Sequence, residues 1–223
     1  MKECKISNLY NLNETIAKEL LEKEEYPWEV LPKISDFIVK LGNTLDESKY
    51  NKVEDNVWIA KSANVAPTAY IKGPAIIGEN AEVRHCAFIR GNAIVGDNSV
   101  IGNSTELKNV ILFNNVQVPH YNYVGDSILG YKVHMGAGAI TSNVKSDKKL
   151  VVIKNEEEQI ETRMKKVGAM IGDRVEVGCG SVLNPGTVIG RDSNIYPLSS
   201  VRGVIRQNSI YKKQGEVVRK ILI

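Results

Sequence analysis

The sequence is poor in cysteine: Cys4, Cys86 and Cys179 are odd in number and widely spaced. That excludes a disulfide framework or a cysteine zinc cluster as the basis of the fold. An excess of one charge is also missing, since 29 basic against 26 acidic residues leave +3 and no block of Lys and Arg occurs. Nucleic acid is therefore not an expected partner. No apolar run approaches the roughly eighteen residues of a membrane span, and the opening MKECKISNLYNLNET has no signal-peptide apolar core. These absences predict a soluble, cytoplasmic protein without membrane contact. A hydrophobic content of 43% and a charged content of 25% suit a globular chain of one to two domains.

Glycine is almost absent from the first quarter, where only Gly42 of the 18 precedes Asn56. This stretch reads as helix. Ile16, Leu20 and Leu21 share one face of NETIAKELLEKE with Asn13 as N-cap. A second helix carries Ile34, Phe37, Ile38 and Leu41, has Pro32 near its start and stops at Gly42. Residues 1–56 are expected to form a small helical appendage that docks on the rest, because so short a segment buries little core alone.

Beyond Asn56 the chain repeats every six residues. Aliphatics stand at Ile59, Val65, Ile71, Ile77, Val83, Ile89, Val95, Ile101 and Leu107, and a small residue from Ala63 to Thr105 comes four places after each of the first eight. The spacing then shortens by one before Leu112, Val118 and Val124, and the series returns after an interruption as Ile171, Val177, Leu183, Ile189, Ile195 and Val201. A period of six with Gly, Asn or Asp in each unit predicts short strands and regular corners, an all-β solenoid of the parallel β-helix type. The coil is expected over 57–206, with an inserted segment at about 150–166 and a tail at 207–223.

In a solenoid of three units per coil, positions eighteen apart stack at the strand spacing of about 4.8 Å. Lys72, Arg90 and Lys108 then form one column, since 90 − 72 = 18 and 108 − 90 = 18. Like charges about 5 Å apart repel by roughly 1 kcal/mol even in water, so the column is either solvated or grips an anion such as phosphate. His85, Asn103 and His120 share another column, and two coils, roughly 10 Å, part the histidines. One zinc ion cannot span that gap within a chain. A metal site at a trimer interface would need His134 or a neighbouring subunit as well, and no metal is assigned.

Residues 89–149, including the run GNSTELKNVILFNNVQVPHYNYVGDSILGYKVHMGAGAITSNVKSDKK, resemble the acetyltransferase half of bifunctional UDP-N-acetylglucosamine pyrophosphorylase/glucosamine-1-phosphate N-acetyltransferase. The resemblance implies a left-handed β-helix, a homotrimer, and acetyl-CoA held between subunits as co-substrate. It puts the family's catalytic base on His120 and the substrate-binding tyrosine on Tyr123. Arg90 and Lys108 fall on sugar-phosphate ligands, Asn143 on a substrate-contacting asparagine and Lys149 on a lysine six residues beyond it. Ala137 and Cys179 fall beside the bound CoA. His134 replaces an asparagine and Val144 a tyrosine near the sugar, so the acceptor is open to change. The family's nucleotidyltransferase half has no counterpart before the coil, and pyrophosphorylase activity is not expected.

Acetyl transfer to an amine needs a base that titrates near neutrality, which histidine supplies. The developing oxyanion needs donors, and Met135–Gly138 can offer a backbone N–H. The expected activity is acetyl transfer to an amino-sugar phosphate in nucleotide-sugar biosynthesis. Two rivals stand beside it: a non-catalytic β-helix that binds a sugar phosphate or nucleotide sugar, and an acyltransferase with another acceptor.

Overall fold

A computed structural model describes residues 1–213 and 215–220. The repeat forms a parallel β-helix in which each coil contributes short strands to three faces. Its rungs keep the sequence period: Ile71 faces Ile89, Val83 faces Ile101 and Ile76 faces Ile94, each eighteen residues on. The aliphatics of the series point inward, and Ile77, Ile89, Val95, Ile101, Leu107 and Leu112 are fully buried. The small residues lie where the chain turns. Where they are hydroxyls, they satisfy corner backbone: Ser99 Oγ donates to the Phe113 carbonyl at 3.0 Å and Thr105 Oγ1 to that of Val118 at 2.9 Å.

Shortening the spacing by one changes a corner. Leu107 faces Val124 and Ile101 faces Val118, seventeen residues on. An ordinary coil turns there through Gly91 and Asn92, both at positive φ, whereas the contracted coils turn through Asn109 (φ 56°) or Asp126 (φ 47°) alone. Asn and Asp tolerate this left-handed region better than other non-glycine residues. The strands Glu106–Leu112 and Tyr123–Leu129 consequently run unbroken across the corner.

The chain leaves the coil after Asn143 and rejoins it at Val167, whose N–H donates to the Asn143 carbonyl at 3.0 Å. The excursion is an antiparallel hairpin, Val152–Lys154 with Gln159–Glu161. Val151 and Ile153 bury their side chains against Gly186, where an added Cβ would stand 2.7 Å from Val151 Cγ1. The ladder also runs on beyond residue 206. Ser209–Lys213 pairs with Asn194–Ile195, and Glu216–Arg219 folds back on it antiparallel. Ile195 faces Tyr211 only sixteen residues on, so the period of six fades there although the coil continues.

The N-terminal segment departs from expectation in one place. Asn13 does not cap a helix across NETIAKELLEKE. The Asn11 side chain instead accepts from the Asn13 N–H at 3.2 Å over a short turn, Leu12–Glu14. Thr15 then turns extended and accepts from the Ala17 N–H at 3.1 Å, which leaves Ile16 exposed and a helix of only Lys18–Leu21. Asn and Thr side chains that bond nearby backbone compete with helix in this way. Leu20 and Leu21 are buried as expected. The second helix, Ile34–Gly42, packs Ile34 and Ile38 inward and ends with Gly42 flat on the Trp58 ring, where a Cβ would collide. No helix among the described residues is long and apolar enough to cross a membrane.

Candidate active site

The contracted corners bring the chemistry-bearing side chains together. The Arg90 N–H donates to the Leu107 carbonyl and the Lys72 N–H to that of Ile89, both at 2.8 Å, so Lys72, Arg90 and Lys108 occupy successive rungs of one outer face. Two of the three cations have counter-charges. Arg90 Nη1 donates to Glu106 Oε1 at 2.7 Å, and this bond holds the guanidinium above its ordinary pKa. Lys108 Nζ donates to both oxygens of Asp126, at 3.1 and 3.2 Å. Lys72 is exposed.

Asp126 is the hub. Its carboxylate is 4% exposed and also accepts from Asn109 Nδ2 at 2.9 Å and from Asn143 Nδ2. Asn143 Nδ2 reaches the Tyr123 hydroxyl at 3.3 Å as well. Burial pushes the Tyr123 phenol above its ordinary pKa, and the Asp126 and Glu106 carboxylates add to the shift. Tyr123 therefore stays protonated at neutral pH and keeps an O–H to donate.

The adjoining corner carries His120, three residues before Tyr123. Its imidazole is exposed, while its backbone is fixed on both sides. The His120 N–H donates to Asn122 Oδ1 at 3.0 Å, and its carbonyl accepts from the Gly138 N–H at 3.0 Å. Asn122 is 2% exposed and donates to the Gly136 and Ala139 carbonyls at 2.9 and 3.0 Å. One buried amide thus ties the histidine corner to the glycine turn beside it. Below His120 in register stands Asn103, whose Oδ1 is buried without a partner. His85, one rung further, bonds Thr68 Oγ1 through Nδ1 (2.6 Å) and Cys86 Sγ through Nε2 (3.2 Å).

Above His120 the same column continues through Ala137 and Cys179, because the Gly180 N–H donates to the Ala137 carbonyl at 2.8 Å and the Leu198 N–H to that of Cys179 at 2.9 Å. Both residues are exposed, and a Cβ at Gly138 would meet nothing within 4 Å. Small residues leave this edge open to an extended ligand.

Of the residues singled out in the sequence, Lys108, Tyr123 and Asn143 meet around Asp126. Arg90 lies one rung away on its own carboxylate. His120, Ala137 and Cys179 line the next corner. Two residues stand apart in the single protomer: His134 sits on the strand paired with that of His120 but faces Gln117, three residues from it, with Nδ1 2.9 Å from Glu176 Oε2, and Lys149 is exposed in a turn built on Asp147. Sequence reasoning missed Glu106, Asn109, Asn122 and Asp126. A signal for two of them was present, since 126 − 109 = 17 and 143 − 126 = 17 put Asn109, Asp126 and Asn143 in one column once the contraction is counted.

Residues 71–214 match the family model described as GMPPB C-terminal domain. A bifunctional protein GlmU from Methanococcus maripaludis is 36% identical over 220 residues, which cover 87% of this chain and 48% of the relative. A bifunctional sugar-1-phosphate nucleotidylyltransferase/acetyltransferase from Sulfurisphaera tokodaii is 31% identical, over 79% of this chain and 43% of the relative. The chain thus spans under half the length of these curated relatives. Among solved structures, a hexapeptide transferase family protein from Anaplasma phagocytophilum aligns over 74% of this chain and 81% of its own, with 16% identity and a TM-score of 0.49.

Proposed function

The chain belongs to the GMPPB C-terminal domain family, and from that premise we propose that it is an acetyl-CoA-dependent N-acetyltransferase acting on an amino-sugar phosphate. The observation that carries this reading is the convergence of Lys108, Tyr123 and Asn143 on Asp126, with Arg90 one rung away and His120 at the adjoining open corner. Names that combine nucleotidyltransfer with acetyl transfer among the relatives support the acyl-transfer class.

The acceptor phosphate binds Arg90 and Lys108. Each cation has one carboxylate neighbour in the protomer and keeps further N–H donors for the ligand. Tyr123 and Asn143 orient the sugar, with Lys149 reaching in from the turn beyond Asn143. Acetyl-CoA runs along the corner past Ala137 and Cys179, so that its thioester meets the amine beside His120. His120 removes the proton as the amine nitrogen attacks the carbonyl carbon, a backbone N–H of the 135–138 turn steadies the oxyanion, and collapse expels the CoA thiolate, which takes the proton back.

Sites of this kind are completed between subunits of a homotrimer. Support for association comes from apolar side chains left bare on one protomer: Leu198 is 84%, Tyr121 66% and Tyr70 60% exposed. His134 joins the site from a neighbouring chain in this reading. The test is release of free CoA thiol with acetyl-CoA and glucosamine-1-phosphate. His120→Ala should abolish turnover while leaving the oligomer unchanged, and undiminished turnover in that variant removes His120 from the mechanism.

A further inference from the structure

A cleft of about 830 Å3 lies away from the His120 corner, between the 152–161 hairpin and the last coils. Its walls carry Lys154, Arg202, Arg206 and Arg219. The chain has eight arginines. Arg84, Arg90, Arg174 and Arg191 each pair with a carboxylate. Of the four that pair with none among the described residues, three line this one cleft. Elsewhere, only Arg163 among the described residues lacks a carboxylate partner.

The local fold explains the clustering. Val201 and Ile205 stand only four apart in the repeat, so Arg202 and Arg206 flank a single tight corner at Gly203 (φ 76°). The inserted hairpin closes on that corner, and a Cβ on Gly203 would stand 2.8 Å from the Lys154 carbonyl. Lys154 is thereby brought beside the two arginines. Arg219 comes from the returning strand, in register with Ser209. Two carboxylates also border the cleft: Glu3 accepts from Asn155 Nδ2 at 3.1 Å, and Glu156 is exposed. The balance remains cationic. Val217 and Val218, 44% and 37% exposed, add an apolar strip to the same wall.

Guanidinium groups in a concave site match phosphate oxygens in pairs, and an apolar strip beside them suits the body of a phosphate ester. We propose that this cleft binds a nucleoside diphosphate group, its phosphates on Arg202, Arg206 and Lys154 and its nucleoside against Val217 and Val218. The site is separate from the acyl-transfer corner and does not depend on the activity proposed there. A nucleotide-bearing metabolite docking here would brace the inserted hairpin against the coil.

Isothermal titration of the full chain with ADP, pyrophosphate and adenosine tests this. ADP should bind, pyrophosphate more weakly, and adenosine not at all. The double variant Arg202→Ala/Arg206→Ala removes two exposed side chains and should weaken ADP by about tenfold or more with an unaltered ligand-free melting temperature. His120→Ala should bind ADP as the parent does, which separates this proposal from the fate of the catalytic one. Equal ADP affinity in the double variant, or no ADP binding at millimolar concentration, overturns it.

Discussion

Replacing Asp126 by Asn is the sharpest perturbation of the hub. Asparagine keeps the shape and tolerates the φ of 47° at this corner, so backbone strain does not enter the comparison. The charge is lost. Lys108 Nζ, which donates to both carboxylate oxygens, keeps one acceptor, and the new amide confronts the Asn143 amide unless the latter flips. A hydrogen bond to a charged group contributes about 1.5–3 kcal/mol. Cutting a fully buried ion pair costs about 3–5 kcal/mol, but the Lys108 side chain is 26% exposed and can turn to water, which lowers the figure. The expected loss is about 2 kcal/mol, equivalent to about 4–8 °C in melting temperature for a chain of this size. Asp126→Ala should cost more, because alanine adds about 1–2 kcal/mol of left-handed strain. Thermal unfolding of Asp126→Asn, Lys108→Met and the double variant closes a cycle, with an expected coupling of about 1–2 kcal/mol. Additive effects would refute the claim that these two side chains act as one unit.

Tyr123→Phe removes the hydroxyl met by Asn143; it should raise the acceptor KM in the thiol-release assay while costing under about 1 kcal/mol of stability. Gly186→Ala, at φ 79° and with Val151 Cγ1 2.7 Å from the new methyl, should loosen the inserted hairpin and speed proteolytic cleavage near Asn155–Glu158 without unfolding the coil. The hydrogen bond from Arg174 holds the Asp192 carboxyl below its ordinary pKa. A depressed carboxylate stabilises the fold above its unfolded pKa of about 3.9 and loses that contribution as pH falls through the lower folded value. Asp192→Asn should therefore flatten part of the acid limb of a melting-temperature profile below about pH 4, and an identical limb would show the pair to be inert.

The reach of the sequence differs from element to element. The aliphatic series from Ile59 to Val201 was enough to place the faces and rungs, because a coil three units long leaves each position one neighbour above and one below. For the same reason Lys72, Arg90 and Lys108 were legible as a column. The role of Asn13 lies beyond that reach, because helix periodicity is a weak signal in a short segment and the Asn11 and Thr15 side chains decide the local backbone.

What the sequence determined by itself was the ladder, since the inward residues must repeat wherever identical strands stack. What only the tertiary structure decided was which charges that ladder leaves free. Arg90 and Lys108 look alike in the repeat, yet Glu106 holds one and the buried Asp126 the other. Arg202 and Arg206 look like any surface cations until the hairpin folds over their corner. Counter-ions come from side-chain direction and from segments remote in the chain, and neither is carried by the period of six.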